Sequence, residues 1–499
     1  MIMRLLGTSA LGIVLIAGSS AAFAQESTLR VAIPSTLNTL DPAKTKIGEE
    51  YILNFLIYSG LTELTADGEV LPDLAESWEA NDDLSEWTFT LRQGVTFHDG
   101  SAFDAEDVKA TIERVMDPAT ASTARVNFEI VEEIEVVDDH TIRFALSQPY
   151  AGFPDLMGDR HVRIVPSELD ESLASEPVGT GPYRLANFQP GNRVDLERFD
   201  EYYVDDLPKM DTIVLQIIPE RSTQFAALET GEVHLLWDIT PEMIMEYQNA
   251  PGIVIDSIAT STWDGLIMNA NQPPFDDQRV RQAVAHAVDK QVLTEIALFG
   301  TGTPTLTMIP PTHNYYNDEI EIASPDLDRA RQLLEEAGYA DGFDITLYVP
   351  AGRPTRERLG LGAAEMLREI GINAEIQRVP WDRFVTEIEG HAAFFTDGFY
   401  SRPTIDSSIY PWYHSDGSWN TQLWHYENEE MDAVLEAARA AGSDEDRRKY
   451  YREFQRLAVE YPAGIIPYVL NHANAHSERL QNFSSHPMMW LDLRDVTLE

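Results

Sequence analysis

Three loops of this 499-residue chain bring together residues that could hold an acid. Arg353 lies in Pro350-Ala351-Gly352-Arg353-Pro354, Trp381 in Pro380-Trp381-Asp382, and Arg402 near the start of Tyr400-Ser401-Arg402-Pro403-Thr404-Ile405-Asp406. Each loop follows a run that reads as a strand, over 345–349, 374–379 and 394–399. Open α/β sheets bind ligands just beyond the carboxyl ends of their strands, so this spacing makes Arg353, Trp381 and Arg402 cleft residues. A guanidinium presents two parallel donors that match the two oxygens of a carboxylate. That chemistry is recognition rather than conversion. For hydrolysis the chain lacks G-x-S-x-G, H-E-x-x-H and any cysteine. Among 83 acidic residues, carboxylate pairs arise by chance and give no evidence of glycosidase chemistry. A hydrolase is therefore the weaker class.

The elements that must position these loops are legible from pattern. Ile345–Val349, a helix near 356–370 closed by Gly371, and Ala374–Val379 read as a βαβ unit. Helices are expected after Asp277, over 328–337 with Gly338 as a left-handed stop, and over 429–441 and 444–460. Ser443 and Asp446 offer the last of these a cap. Residues 29–270 are richer in strands, at 29–33, 87–91, 141–146, 193–198, 212–218 and 265–269. Within Trp87–Met116, Trp87, Phe89 and Leu91 alternate with Thr88 and Thr90. A helix start follows, with Asp104 as cap, Asp107 completing a capping box and Phe103 stapled onto Val108. Val108, Ile112 and Val115 form its buried stripe, and Asp117-Pro118 ends it.

Arg4, the apolar run 5–17 and Ala22-Phe23-Ala24 read as a secretory signal peptide, cut near Ala24. No later segment is a membrane-span candidate. A formal charge of −47 repels nucleic acid and anionic membrane surfaces, and suits a solubilising surface for a saline habitat.

The wording LRxGVxFHDGxxFxAEDV (Leu91 to Val108) resembles the signature block of the peptide/opine/nickel family of extracytoplasmic solute-binding proteins, which feed ABC importers. PVGTGPYRL (Pro177 to Leu185) and RVRQAVAHAVDK (Arg279 to Lys290) resemble the same family. The glycines of the first read as serving a tight turn. The resemblance implies an α/β, two-lobed periplasmic-binding-protein fold of type II, with an extra subdomain in the first lobe. The first lobe would be 25–270, its subdomain around 61–180, the second lobe 271–467, and 468–499 would return to the first. Two segments, near Trp263–Gln272 and Tyr468–His476, would cross between lobes.

The PAGRP wording resembles the loop with which dipeptide-binding members hold a peptide carboxylate, which gives Arg353 that role. Those members place an aspartate for the α-ammonium where this chain has Arg402, with Asp406 four residues on as a substitute. The departure favours an acidic peptide, an opine-like conjugate or another polycarboxylate. In the first lobe the family's ligand loop falls on Pro34–Asp41, with Ser35, Thr36 and Asn38 as polar contacts. Trp381, Tyr410 and Trp412 would supply rigid apolar contact. No cofactor is called for. The implied partners are a small peptide-like ligand and an ABC permease complex at the inner membrane, and the protein is expected to be a monomer in the periplasm. Because relatives include metal carriers, a nickel complex is the rival ligand, with His472, His476, His414 and His425 as its candidates. Four-residue spacing brings imidazoles together on a helix, whereas the segment holding His472 and His476 reads as a strand.

Overall fold

An 11-stranded mixed sheet runs through the whole molecule. The structure, a computed structural model, describes residues 27–499 except 169, 170 and 403. The expected signal peptide lies outside the described residues. From one edge to the other the strands are Ile372–Val379, Phe343–Pro350, Phe394–Phe399, Ile253–Met268, Gly464–Ser477, Leu235–Leu236, Thr28–Ile33, Thr212–Ile217, Arg193–Arg198 and Tyr183–Gln189. The short strand Thr303–Pro304 pairs beside this path with Gly464–Ser477.

Ile253–Met268 and Gly464–Ser477, 16 and 14 residues long, are far longer than the usual strand of roughly 5–6 residues. Their length follows from serving two half-sheets in turn. At one end they pair through Ile253–Ala259, and Gly464–Ser477 also meets Leu235–Leu236. At the other end Trp263–Met268 pairs with Phe394–Phe399. Between the two stretches the register shifts, from Ala259 to Trp263, and such an irregularity bends a strand. The bend separates two lobes, each packed around its own apolar clusters.

The second lobe contains the parallel pair Phe343–Pro350 and Ile372–Val379, linked by the helix Pro354–Arg368, so the βαβ reading holds. Gly338 and Gly371 both take left-handed backbone after helices. On the first lobe sits a four-stranded antiparallel sheet ordered Ala75–Ala80, Glu86–Leu91, Thr141–Leu146, Val131–Asp138. The helix Ala105–Met116 covers it, burying Val108, Ile112 and Val115 against Phe89, Phe97 and Phe144. The Asp104 side chain accepts from Glu106 N, and Asp104 N donates to Asp107 Oδ2 at 2.9 Å, as the capping box requires.

Gly179 and Gly181 serve a different purpose from a tight turn. A Cβ on either would lie 2.2 or 2.7 Å from the Ile57 carbonyl oxygen, so they let the chain close directly onto the end of the helix Gly48–Ile57. This subdomain also reaches across to the second lobe. Ala151 N donates to Arg439 O at 2.7 Å, and Asp155 pairs with Arg447 at 3.0 Å.

Candidate functional site

Between the lobes lies a cleft of about 1100 Å³. Pockets that enclose a drug-sized ligand run to roughly 300–1,000 Å³, so the cleft can take such a solute whole. Of the residues expected here, Arg402 and Asp406 line it. Arg402 is exposed to the cleft and has no acidic partner among the described residues. Enclosure by the cleft walls, and then the nearby charge of Arg160, lower its pKa. Asp406 is differently placed. Its carboxylate is 8% exposed and takes a bidentate pair of bonds from Arg439, at 2.9 and 2.8 Å, with the hydroxyls of Tyr150 and Tyr451 at 3.4 Å. With its charge met by Arg439, it is not a vacant ammonium partner.

The other expected contacts are redistributed. Trp412 is 3% exposed and belongs to the second-lobe core, with ring centroids 4.4 Å from Phe399 and 5.0 Å from Trp263. The helix Ile405–Tyr413 turns Ile405, Ile409 and Trp412 inward at helical spacing, and that periodicity decides its place. Tyr410 lies under the Arg439 guanidinium, 3.2 Å from its centroid, and stacks on His414. Ser35 donates to Glu49 at 2.5 Å, Thr36 accepts from Gly191 N, and Asn38 donates twice to Glu50. These three side chains secure their own loop, and the adjacent Pro34 and Glu49 line the cleft instead. Arg353 and Trp381 come together outside the cleft lining, with the exposed guanidinium 4.4 Å from the indole centroid. Arg356, one turn on, is half-buried. It joins Asp264 at 3.0 Å and Asp397 at 2.7 Å and also donates to Gly398 O.

The histidines are dispersed. His472 contacts Asp238 at 3.3 Å, His476 bonds Ser477 O, and His414 contacts Glu436 at 3.4 Å. Among the described residues no group of three or more His, Cys, Asp or Glu could hold a metal ion.

Pattern reading missed the first-lobe wall. Arg160 is 6% exposed, lies over the Tyr51 ring at 4.2 Å, and donates to Ser401 O at 3.1 Å. Its neighbour Asp159 engages His161 through Oδ1, accepting from that residue's backbone N at 2.7 Å and meeting Nδ1 at 2.9 Å, while its buried Oδ2 makes no hydrogen bond among the described residues. Burial alone would raise the Asp159 pKa, but His161 and Arg160 outweigh it and lower the pKa. Opposite, Asp238 has left-handed backbone at φ 55°, fixed by Asn474 accepting from its N–H and Arg221 donating to its carbonyl. Such strain in a non-glycine residue is sustained only where the surroundings impose it, and it clusters at binding sites. The charge run Gly158-Asp159-Arg160-His161, outside any helix or strand period, was the one sequence signal for this wall.

The resulting cavity offers guanidinium groups at the lobe junction and carboxylates of Glu49 and Asp238 elsewhere on its lining. That suits a zwitterionic or polyanionic solute. The model of the bacterial extracellular solute-binding proteins, family 5, matches residues 69–420. The chain belongs to this family. Family 5 membership makes it the solute-binding component of an ABC importer, a class that carries solutes to permeases rather than converting them. The glutathione-binding protein GsiB of Salmonella paratyphi A is 30% identical over 489 residues, covering 94% of each chain. HbpA2 from Haemophilus parasuis superposes with a TM-score of 0.87 at 25% identity, over 95% of this chain and 100% of that one. AgaA of A. tumefaciens R10, in complex with agropinic acid, gives 0.73 at 25% identity, over 95% and 99%. Among the described residues of this family 5 protein, no helix is long and apolar enough to cross a membrane.

Proposed function

We propose that this protein captures an acidic, peptide-like solute bearing more than one carboxylate, of which glutathione is the first candidate, and delivers it to an inner-membrane permease. The observation that carries this reading is Arg402, exposed to the cleft without an acidic partner among the described residues. A free α-amine would be repelled there and a carboxylate attracted. Asp238, held out of ordinary backbone conformation on the cleft wall, is the proposed ammonium partner. Arg353, resting on Trp381 and also without an acidic partner among the described residues, is the proposed second carboxylate anchor, engaged as the lobes close. The glutathione-binding relative supports the ligand class, and the agropinic acid complex supports an amino-acid conjugate as its nearest alternative.

The same reading has the protein periplasmic after cleavage near Ala24, monomeric and without catalysis. Residues 25–270 would form the first lobe with a subdomain around 61–180, residues 271–467 the second, and 468–499 the return. Calorimetry with reduced glutathione and with alanyl-cysteinyl-glycine, which lacks one carboxylate, tests it. Glutathione should bind more tightly, by roughly 30-fold or more if one buried ion pair is lost. Equal affinity for the two would overturn the acidic-ligand assignment, and turnover of either would overturn the absence of catalysis. Arg353→Ala should weaken glutathione binding by tens-fold and Arg353→Lys should recover only part, because a point charge cannot make the fork.

A further inference from the structure

Arg160 and Arg402 belong to opposite lobes yet meet at one point of the junction. Arg160 follows the short helix Phe153–Leu156 of the first-lobe subdomain, and Arg402 follows the second-lobe strand Phe394–Phe399. The Arg160 guanidinium donates to the carbonyl of Ser401, the residue immediately before Arg402, and both arginines line the same cleft. Stacking on Tyr51 holds the Arg160 group in one plane. Its remaining polar contact is a 3.5 Å bond to Met488 O, and its buried Nε has no hydrogen-bond partner among the described residues.

A guanidinium taken this far out of water is costly unless a carboxylate or comparable acceptor meets it. Of the nearby acids, Asp406 is committed to Arg439, and Asp159 meets His161 through Oδ1 while its buried Oδ2 bonds neither arginine. Neither arginine pairs with an acid among the described residues, so two like charges from the two lobes stand together with donors left over. The lowering of the Arg402 pKa by Arg160 is the electrostatic trace of that proximity.

Resting on the acidic-ligand reading above, we propose that Arg160 and Arg402 jointly bind a single carboxylate of the solute, which bridges the two lobes at their junction. One carboxylate has two oxygens and about four lone-pair sites, enough to accept from both guanidinium groups at once. Arg160 is then a specificity residue, because an uncharged group in that position would leave two cations facing each other.

A double-mutant cycle separates a shared carboxylate from two independent contacts. Glutathione affinity is measured by calorimetry for wild type, Arg160→Gln, Arg402→Gln and the double variant, each checked for native circular dichroism. If the carboxylate is shared, each single change costs roughly 30-fold or more and the double variant is little worse than either. Losses that multiply in the double variant would overturn the shared site while leaving the acidic-ligand reading intact. Inorganic sulfate at constant ionic strength gives an arm independent of the solute's identity. It should bind wild type and lose about tenfold or more in either single variant. Equal sulfate affinity in all of them would overturn the proposal even if glutathione proves not to bind. Should Arg160→Gln not fold, Arg160→Lys, which keeps the charge without the fork, takes its place in the cycle.

Discussion

In a chain with 83 acidic and 36 basic residues, an arginine that lines a cavity without an acid beside it is the exceptional case. Many arginines here are paired on the surface, where such pairs contribute little. Arg402 is the sharper test of ligand class. Arg402→Asp should reverse the preference between matched acidic and neutral dipeptides in a competition assay, and an unchanged ranking would make it structural. Trp412 makes the opposite prediction. As a core residue, its replacement by alanine should cost about 3–5 kcal/mol in denaturant unfolding and leave ligand affinity near wild type in the folded fraction. At this scale the sequence was partly legible. The strand-end rule located Arg402, but residue type alone could not tell Trp412 in the core from Trp419 on the cleft wall. Nor could it say that Asp406 would be neutralised by Arg439, 33 residues away along the chain.

Elements were read more successfully than side-chain roles because their signals are local. The capping box at Asp104, the cap at Ser443 and the βαβ unit each depend on a few neighbouring residues, and each appears as expected. The two-residue strand Leu235–Leu236 and the π-helical turns Phe384–Ile388 and Asn420–Trp424 carry no period, so nothing announced them. The crossing strands were expected only over part of their length, near Trp263–Gln272 and Tyr468–His476, and the half-exposed stretch from Ile253 to Ile258 lay outside that expectation. Arg356 ties the helix Pro354–Arg368 to two strands through Asp264 and Asp397. Burial raises the Asp397 pKa to about 7, against an ordinary value of 3.8, even with Arg356 beside it. Between those values the folded chain keeps a proton that the unfolded chain has released. This group's contribution to stability is therefore largest at and below about pH 4 and falls as pH rises towards 7. Each factor of ten in proton affinity is worth roughly 1.4 kcal/mol. Asp397→Asn should flatten the fall in unfolding free energy over that window, as measured by urea titration at several pH values. An unchanged slope would show that other groups set it.

For the whole molecule, a cleft between two lobes joined by crossing strands predicts that the ligand is enclosed by rotation of the lobes. Small-angle scattering should show a smaller radius of gyration at saturating glutathione, and an unchanged curve would exclude a closing clamp for that ligand. The rotation is constrained in an informative way. The lobes are joined at the bend of the two crossing strands and again where Ala151 and Asp155 meet Arg439 and Arg447. Arg160 adds a further link through the Ser401 carbonyl, and segments packed at such junctions travel least when two bodies rotate. Tyr150 and Asp406 touch beside the second junction, and the cavity wall they share also contains Arg402. The proposed cationic anchor therefore stands ready before the lobes rotate, and a solute held by it would be first moored and only afterwards covered.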